Sequence, residues 1–140
     1  MTRISWDDYF LEIAKVVSKR STCLRRHYGA VIVRDNKIIS TGYNGAPRGE
    51  ENCCDRKYCE REEKQIPAGE RYELCRGVHA EQNAIINADS AAMEGATIYI
   101  YGTNVRDGSL ASGKPCMLCE RMIKNARIAR ITYLGGNERE

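Results

Sequence analysis

One histidine, one glutamate and two cysteines stand at a spacing that suits a metal centre. Glu81 follows His79 by two residues, and Cys116 and Cys119 lie further along the chain, directly after Pro115. One imidazole and two thiolates are good ligands for Zn²⁺, and three protein ligands leave the fourth tetrahedral position for water, as a catalytic zinc requires. The pattern predicts that His79, Cys116 and Cys119 bind a catalytic zinc ion.

The order His-x-Glu followed by Pro-Cys-x-x-Cys is the signature of zinc-dependent deaminases, in which the glutamate acts as general acid and base and does not bind the metal. Glu81 is therefore the predicted catalytic residue. Cys116 and Cys119 are one helical turn apart, so both thiols face the same way near a helix N-terminus, whose dipole favours thiolate. Two alternatives stay open: a structural zinc site, and a redox pair of cysteines beside a structural histidine.

Three helices are predicted to carry these residues and support them. The first spans residues 5 to about 20, where apolar residues recur at helical spacing after a cap formed by Ser5 and Asp8. The second covers residues 79–88. The third begins at Pro115, which fits a first helical turn because its missing N–H costs nothing there.

Four β-rich runs complete the predicted core. Residues 30–33 and 38–41 flank a turn and predict a hairpin, and residues 96–101 and 128–134 predict two more strands. The order α-β-β-α-β-α-β predicts an α/β sheet with helices on both faces. Its last β-α-β unit should be parallel and right-handed.

Composition and charge limit the class of protein. The 140 residues suffice for one domain, and 42% hydrophobic and 29% charged residues are typical of globular proteins. The net charge of +3 is scattered, so nucleic-acid binding is not expected, although the 15 arginines suit phosphate recognition. Neither a signal peptide nor a segment long enough to cross a bilayer is predicted, so we expect a cytoplasmic protein with no membrane contact.

Seven cysteines are the most unusual feature of the composition. Cytosolic thiols stay reduced, so clustered cysteines there bind metal or do chemistry more often than they form disulfides. Several of them lie in a long polar segment, 42–77, that has no regular period and is predicted as a loop. A loop of that length in a small domain needs something to tie it down.

Five segments of the chain resemble the deoxycytidylate (dCMP) deaminases of the cytidine deaminase-like superfamily. They are residues 5–10, 19–23, 29–33, 42–49 and 79–85, and the resemblance extends over nearly all of residues 5–134. It implies a three-layer α/β/α fold with a central mixed sheet of about five strands, in a single domain over residues 1–140. It also implies hydrolytic removal of the 4-amino group of dCMP, which gives dUMP and ammonia.

The same resemblance implies roles for single residues and for partners. Glu81 looks like the proton shuttle, Asn44 like a nucleotide-contacting residue and Arg25 like a phosphate-binding residue. For Asn44 an alternative stays open, because Asn-Gly after a strand is ordinary turn chemistry. Such deaminases are commonly homohexamers regulated by dCTP and dTTP, so the same assembly and effectors are expected here.

One departure from this family is the long polar loop over residues 102–114. Relatives usually join the strand to the Pro-Cys pair through a few residues. We expect the longer loop to border the substrate entrance and to order on nucleotide binding. The alternative substrates are free cytidine or cytosine, a tRNA adenosine, and a guanine or pterin-like base. A zinc-stabilised binding module without turnover is the alternative outside the enzymes.

Five cysteines remain after the catalytic pair, and four of them can form a second, closed zinc site. Phage relatives with an Asn-Cys-Cys-Asp segment like residues 52–55 carry a second zinc, which favours Cys53 over Cys54. The predicted ligands are Cys23, Cys53, Cys59 and Cys75. Four thiolates leave no position for water, so this zinc would be structural and would order the long loop. The alternative is that some of these cysteines are small buried hydrophobic residues.

Overall fold

A computed structural model describes residues 2–67, 70–71, 74–75 and 77–135. In chain order the elements are α1 (Trp6–Ser18), β1 (Arg26–Arg34), β2 (Lys37–Tyr43), α2 (Cys53–Arg56), α3 (Glu60–Glu63), α4 (Ala80–Asn87), α5 (Ser90–Met93), β3 (Thr97–Asn104), β4 (Leu110–Ala111), α6 (Met117–Asn125) and β5 (Arg130–Tyr133). All three predicted helices and all four predicted strands are present. The short elements α2, α3, α5 and β4 are additions to the prediction.

Five strands form one mixed sheet. β1 pairs antiparallel with β2 on one edge and with β3 on the other. β3 then pairs in parallel with β5 and, further along, antiparallel with β4. The predicted hairpin and the parallel pairing of the last β-α-β unit are both confirmed.

Helices cover both faces of this sheet, which confirms the predicted three-layer fold. Alternate residues of β1 point to opposite faces, so Val31 and Ile32 belong to different buried clusters. The cluster under α1 contains Phe10, Leu11, Ala14, Val31, Val33 and Tyr99. The cluster under α4 and α6 includes Ala80, Ala84, Ile123, Ile32, Ile98 and Ile100.

Helix α1 has the predicted start. The Ser5 side chain accepts a hydrogen bond from the backbone N–H of Asp8 at 3.1 Å, as an N-cap does. The helix ends at Ser18, about two residues before the predicted end, and packs closely on β1. A side chain at Gly29 would overlap the backbone of Ala14 and Ser18, so glycine permits this approach.

A small polar cluster fastens the start of α1 to the sheet. Tyr99 donates a hydrogen bond to Asp7 Oδ1 at 2.7 Å, and Arg130 donates to both carboxylate oxygens of Asp7, at 2.9 and 2.6 Å. The Arg130 hydrogen bond is the main cause that lowers the pKa of Asp7 from 3.8 to about 2. Burial and the nearby Asp7 raise the pKa of Tyr99 to about 12, so Tyr99 remains a donor at neutral pH.

Asp7→Asn should lower the free energy of unfolding by about 1 kcal/mol at neutral pH, since the pair is partly exposed and screened by solvent. A group whose pKa is lowered on folding stabilises the fold above its unfolded pKa, and the contribution is lost as the pH falls toward about 2. Urea unfolding of both proteins between pH 2 and pH 7 measures this difference. A gap between the two proteins that stays constant over that range would contradict the assignment.

The two predicted loops contain more regular structure than expected. β3 continues to Asn104, and β4 pairs with it through Gly102 and Thr103, so the loop predicted at 102–114 is in part a hairpin. Sequence periodicity missed it because β4 has only two residues and depends on its partner strand. The Asn104 backbone N–H donates to the carbonyl of Ser109 at 2.8 Å and closes the turn.

The segment predicted as one long loop contains α2 and α3, each of four residues. It is tied to the chain after α1, because the Cys54 N–H donates to the carbonyl of Thr22 at 3.1 Å. An isolated antiparallel bridge between Gly45 and Val78 joins its two ends. Helices of one turn bury too little to show a clear period, so the sequence did not predict them.

Candidate active site

Helix α4 starts at the centre of the site and is fixed against β2. His79 is its N-cap residue, and the His79 backbone N–H donates to the Gln82 side chain at 3.0 Å. The Ser40 hydroxyl of β2 donates to the carbonyl of Ala84 at 2.7 Å inside the core. A side chain at Gly42 would overlap the backbone of Ala84, so glycine allows the helix to lie directly on the strand.

The three predicted catalytic zinc ligands come together. His79 Nδ1 lies 3.1 Å from Cys119 Sγ and 3.6 Å from Cys116 Sγ. Among the residues that the structure describes, this is the one group of potential metal ligands whose ligating atoms all lie within 4.8 Å of one another. An imidazole and two thiols converging at such distances suit a zinc ion.

Helix α6 begins later than predicted. Its first residue is Met117, with Cys116 as N-cap, so Pro115 lies before the helix and not in its first turn. The reason is that Cys116 Sγ accepts a hydrogen bond from the Cys119 N–H at 3.5 Å and thereby caps the helix. Both sulfurs still lie at the positive end of the helix dipole.

The local environment favours the thiolate form of Cys116. Hydrogen bonding with Cys119 lowers the pKa of Cys116 to about 3, against the effect of partial burial, and His79 lowers it further. A thiolate is the form that binds metal. The hydrogen bonds within the site therefore favour the charged form of Cys116 that binds a metal cation.

Glu81 is completely buried in the first turn of α4. Buried carboxylates are rare unless they have a function or a partner. Its position two residues after His79 places it on the helix that supplies the imidazole. The helix N-terminus favours a negative charge there.

Arg25 and Asn44 line a cavity of about 90 Å³ that reaches His79. Arg25 Nε lies 3.5 Å from Glu62 Oε2 of α3. The Asn44 side chain accepts from the Tyr28 N–H at 2.8 Å and donates to the Arg26 carbonyl at 2.9 Å. Through these two bonds Asn44 holds the first residues of β1 in place. The contact of Asn44 with a nucleotide stays a prediction.

The four cysteines predicted to form a second site line that same cavity, which we call the thiol cavity: Cys23, Cys53, Cys59 and Cys75. Burial raises the pKa of Cys53, and the neighbouring Cys23, Cys59 and Cys75 raise it further. Cys54 is exposed and does not line the cavity.

The spacing of these four thiols differs from that of the catalytic ligands. All four are described residues, yet no three of their sulfurs lie within 4.8 Å of one another, as the ligating atoms of His79, Cys116 and Cys119 do. Zn–S bonds of about 2.3 Å would draw four sulfurs closer together. The structure thus brings the four cysteines to one cavity without closing them into a ligand set.

Sequence reasoning missed three residues around Arg25: Arg26, Glu62 and Arg106. All three line a further cavity together with Arg25. The adjacent pair Arg25-Arg26 was one available signal. The other partners come from α3 and from the turn after β3, so only the fold could show that they meet.

A three-layer α/β/α fold with one histidine and two cysteines converging beside a buried glutamate defines the class of zinc-dependent deaminases. Residues 4–135 match the family described as the cytidine and deoxycytidylate deaminase zinc-binding region. The chain belongs to this family.

Curated relatives include two deoxycytidylate deaminases of very different length. The enzyme of Mycobacterium phage D29 is 37% identical over 139 residues, which cover 95% of this chain and 97% of the relative. The enzyme of Schizosaccharomyces pombe is 36% identical over 131 residues, which cover 94% of this chain and 37% of the relative. The chain therefore spans nearly all of the phage protein and little more than a third of the yeast protein.

Solved structures agree on the fold. The dCMP deaminase of cyanophage S-TIM5, crystallised with dCMP and dUMP, has a TM-score of 0.66 at 24% identity, over 95% of this chain and 83% of that one. RibD of Acinetobacter baumannii has a TM-score of 0.54 at 20% identity, over 91% of this chain and 27% of that one.

The described residues contain no helix that is both long and apolar enough to cross a membrane.

Proposed function

We propose that this chain catalyses the hydrolytic deamination of dCMP to dUMP and ammonia, as a zinc-dependent enzyme of nucleotide metabolism. The observation that carries the proposal is the convergence of His79, Cys116 and Cys119 at one point, with the buried Glu81 on the same helix as the histidine. The relatives named deoxycytidylate deaminase support the choice of substrate.

Each residue of the centre has a distinct task in this reaction. His79, Cys116 and Cys119 hold a zinc ion. When bound, that ion makes a water molecule acidic enough to act as a nucleophile near neutral pH. Glu81 would accept one proton from the attacking water and deliver it to N3. It would then accept the second proton, from the new hydroxyl group on C4, and deliver it to the departing amine. The balance is one dCMP and one water consumed, and one dUMP and one ammonia released.

Ammonia release from a panel of compounds tests the proposal directly. The panel contains dCMP, deoxycytidine, cytidine, cytosine, guanine and a tRNA with an exposed adenosine. We expect steady-state turnover to be fastest with dCMP. Faster turnover of another base would reassign the substrate, and no turnover of any compound would favour a zinc-stabilised binding module.

Arg25→Ala should lower kcat/KM for dCMP about 10- to 100-fold more than kcat/KM for deoxycytidine, because a charge-assisted contact to phosphate is worth about 1.5–3 kcal/mol. The position of Arg25 on the cavity that reaches His79 supports this role. Steady-state kinetics with both substrates provide the measurement. Equal losses on the two substrates would leave Arg25 a structural residue.

We propose a homohexameric assembly for the enzyme. Three large apolar side chains on the two helices of the site support a protein interface: Ile86 of α4 is 65% exposed, and Met117 and Leu118 of α6 are 66% and 48% exposed. An interface between subunits would cover apolar side chains of this kind. Light scattering after size-exclusion chromatography gives the number of subunits.

We propose regulation by dCTP and dTTP. A polar cleft of about 390 Å³ supports an effector site, because its lining includes Arg20 and Arg48 together with Asn83 and Asn87. Arginine suits the phosphates of such nucleotides. Rates measured with dCMP in the presence of each triphosphate test this.

A cytoplasmic location is proposed because six of the seven cysteines lie at the two predicted zinc sites, and cytosolic thiols stay reduced and available to bind metal.

A further inference from the structure

A cavity of about 530 Å³ lies beside the thiol cavity and is lined by three arginines, Arg25, Arg26 and Arg106, and by two carboxylates, Glu62 and Asp107. We call it the arginine cavity. Arg25 and Arg26 also line the thiol cavity, so the two cavities meet at these residues. The arginine cavity therefore adjoins, through these two arginines, a region that is also lined by His79.

The turn that carries Arg106 is fastened to this wall. The Val105 backbone N–H donates to the carbonyl of Arg25 at 2.9 Å. Arg26 Nε donates to Asn104 Oδ1 at 3.2 Å. The residues on both sides of the cavity are thus joined by hydrogen bonds, and Arg106 is held near Arg25 and Arg26.

The charges of the cavity suit an anion. Three arginines and two carboxylates line it. One carboxylate is already engaged, because Asp107 Oδ1 accepts from the Ser109 hydroxyl and N–H at 2.6 and 3.0 Å. Glu62 lies 3.5 Å from Arg25, and its side chain is 57% exposed, whereas that of Arg25 is 23% exposed. The more exposed partner is the one that can move into solvent when a stronger anion arrives.

We propose that the arginine cavity holds the 5′-phosphate of the substrate and that Arg106 contacts this phosphate. Arg106 then determines the preference for the nucleotide over the nucleoside. When phosphate is absent, Glu62 forms an ion pair with Arg25 in its place. The proposal rests on the proposed deamination of dCMP. Arginine binds phosphate through paired N–H donors, and a dianion gains more from the three arginines than a single carboxylate does. Arg106 lies in the segment 102–114 by which the sequence departs from its relatives, and this contact gives that segment a function.

Two variants and one control test the subsite by kinetics. Arg106→Gln should lower kcat/KM for dCMP about tenfold more than kcat/KM for deoxycytidine, through the loss of one charge-assisted contact. Glu62→Gln should lower KM for dCMP about two- to fivefold, since it removes a weak, partly exposed ion pair that competes with phosphate. Arg127→Gln is the matched control, because Arg127 is an exposed arginine at the far end of α6, paired only loosely with Glu94 at 3.8 Å.

Calorimetric titration with inorganic phosphate separates this proposal from the proposed function. The wild type and Arg127→Gln should bind phosphate alike, and Arg106→Gln should bind it about tenfold more weakly. The wild type could deaminate dCMP while Arg106→Gln changes neither phosphate binding nor the ratio of kcat/KM for dCMP to kcat/KM for deoxycytidine. That result would refute the phosphate subsite and leave the proposed deaminase activity intact. The wild type could instead release no ammonia while Arg106→Gln binds inorganic phosphate more weakly than the wild type does. That result would support the phosphate subsite and refute the proposed deaminase activity. A Glu62→Gln protein with a higher KM for dCMP would show that Glu62 orients Arg25, which contradicts the competing role.

Discussion

Glu81→Gln should remove nearly all turnover of dCMP while the protein keeps its fold and its zinc. General acid–base groups contribute about 10²- to 10⁴-fold to rate, so we expect kcat to fall by about a thousandfold or more. Glutamine has the same shape but can neither accept a proton from the nucleophile nor deliver one to N3 or the amine. Glu81 is completely buried, and the change to glutamine leaves no cavity because the two side chains have nearly the same volume. Ammonia release and zinc content are measured on the same preparation.

Glu12→Gln is the control for this experiment, since Glu12 is an exposed glutamate on α1, on the opposite face of the sheet. It should have the activity and the zinc content of the wild type. A Glu81→Gln protein with near-normal turnover would overturn the assignment of the proton shuttle. Loss of zinc with retained folding would instead show that Glu81 is a ligand.

The metal centre could be predicted from sequence because its chemistry is local. His79 and Glu81 are two residues apart, and Cys116 and Cys119 three, so each pair is positioned by its own helix. The starts of the two helices must also meet, which they can do because α4 and α6 pack on the same face of the sheet. The structure places His79 Nδ1 3.1 Å from Cys119 Sγ accordingly.

The surroundings of the centre could not be predicted in the same way. The contact between Arg25 and Glu62 joins the residue directly before β1 to a residue of α3, and no local pattern indicates it. β4 exists only because Leu110 and Ala111 find a partner in β3. The start of α6 shifted because a thiol, which has no strong capping preference, accepts the hydrogen bond from Cys119. Each difference arises from tertiary contacts that override local propensity.

We propose that Cys23, Cys53, Cys59 and Cys75 bind a second, structural zinc ion. Their position around one cavity supports the proposal. Burial raises the pKa of Cys53 and Cys75, and so do neighbouring thiols. A thiol must lose its proton to bind zinc, so metal uptake at this cluster should release protons and weaken as the pH falls.

Cys59→Ser should lose one zinc of two per chain and destabilise the segment 50–78. The reason is that α2 and α3 are helices of one turn each, which do not stay folded on their own, and the metal would join Cys53 and Cys59 to Cys75, four residues before the catalytic His79. Metal analysis of the purified protein gives the zinc count, and hydrogen exchange over the segment gives its protection. Because the thiol cavity reaches His79, turnover should fall as well, although the catalytic ligands remain.

Cys54→Ser is the matched control, because Cys54 follows Cys53 directly in the chain but is exposed and lies outside the thiol cavity. It should keep two zinc ions and the protection of the wild type. A wild-type count of one zinc per chain would refute the second site and leave the four cysteines as small buried residues. A count of two that Cys54→Ser lowers and Cys59→Ser does not would refute the ligand set. Comparing Cys54→Ser with the wild type therefore tests whether Cys53 or Cys54 is the zinc ligand. Of these two neighbouring cysteines, only Cys53 lines the thiol cavity.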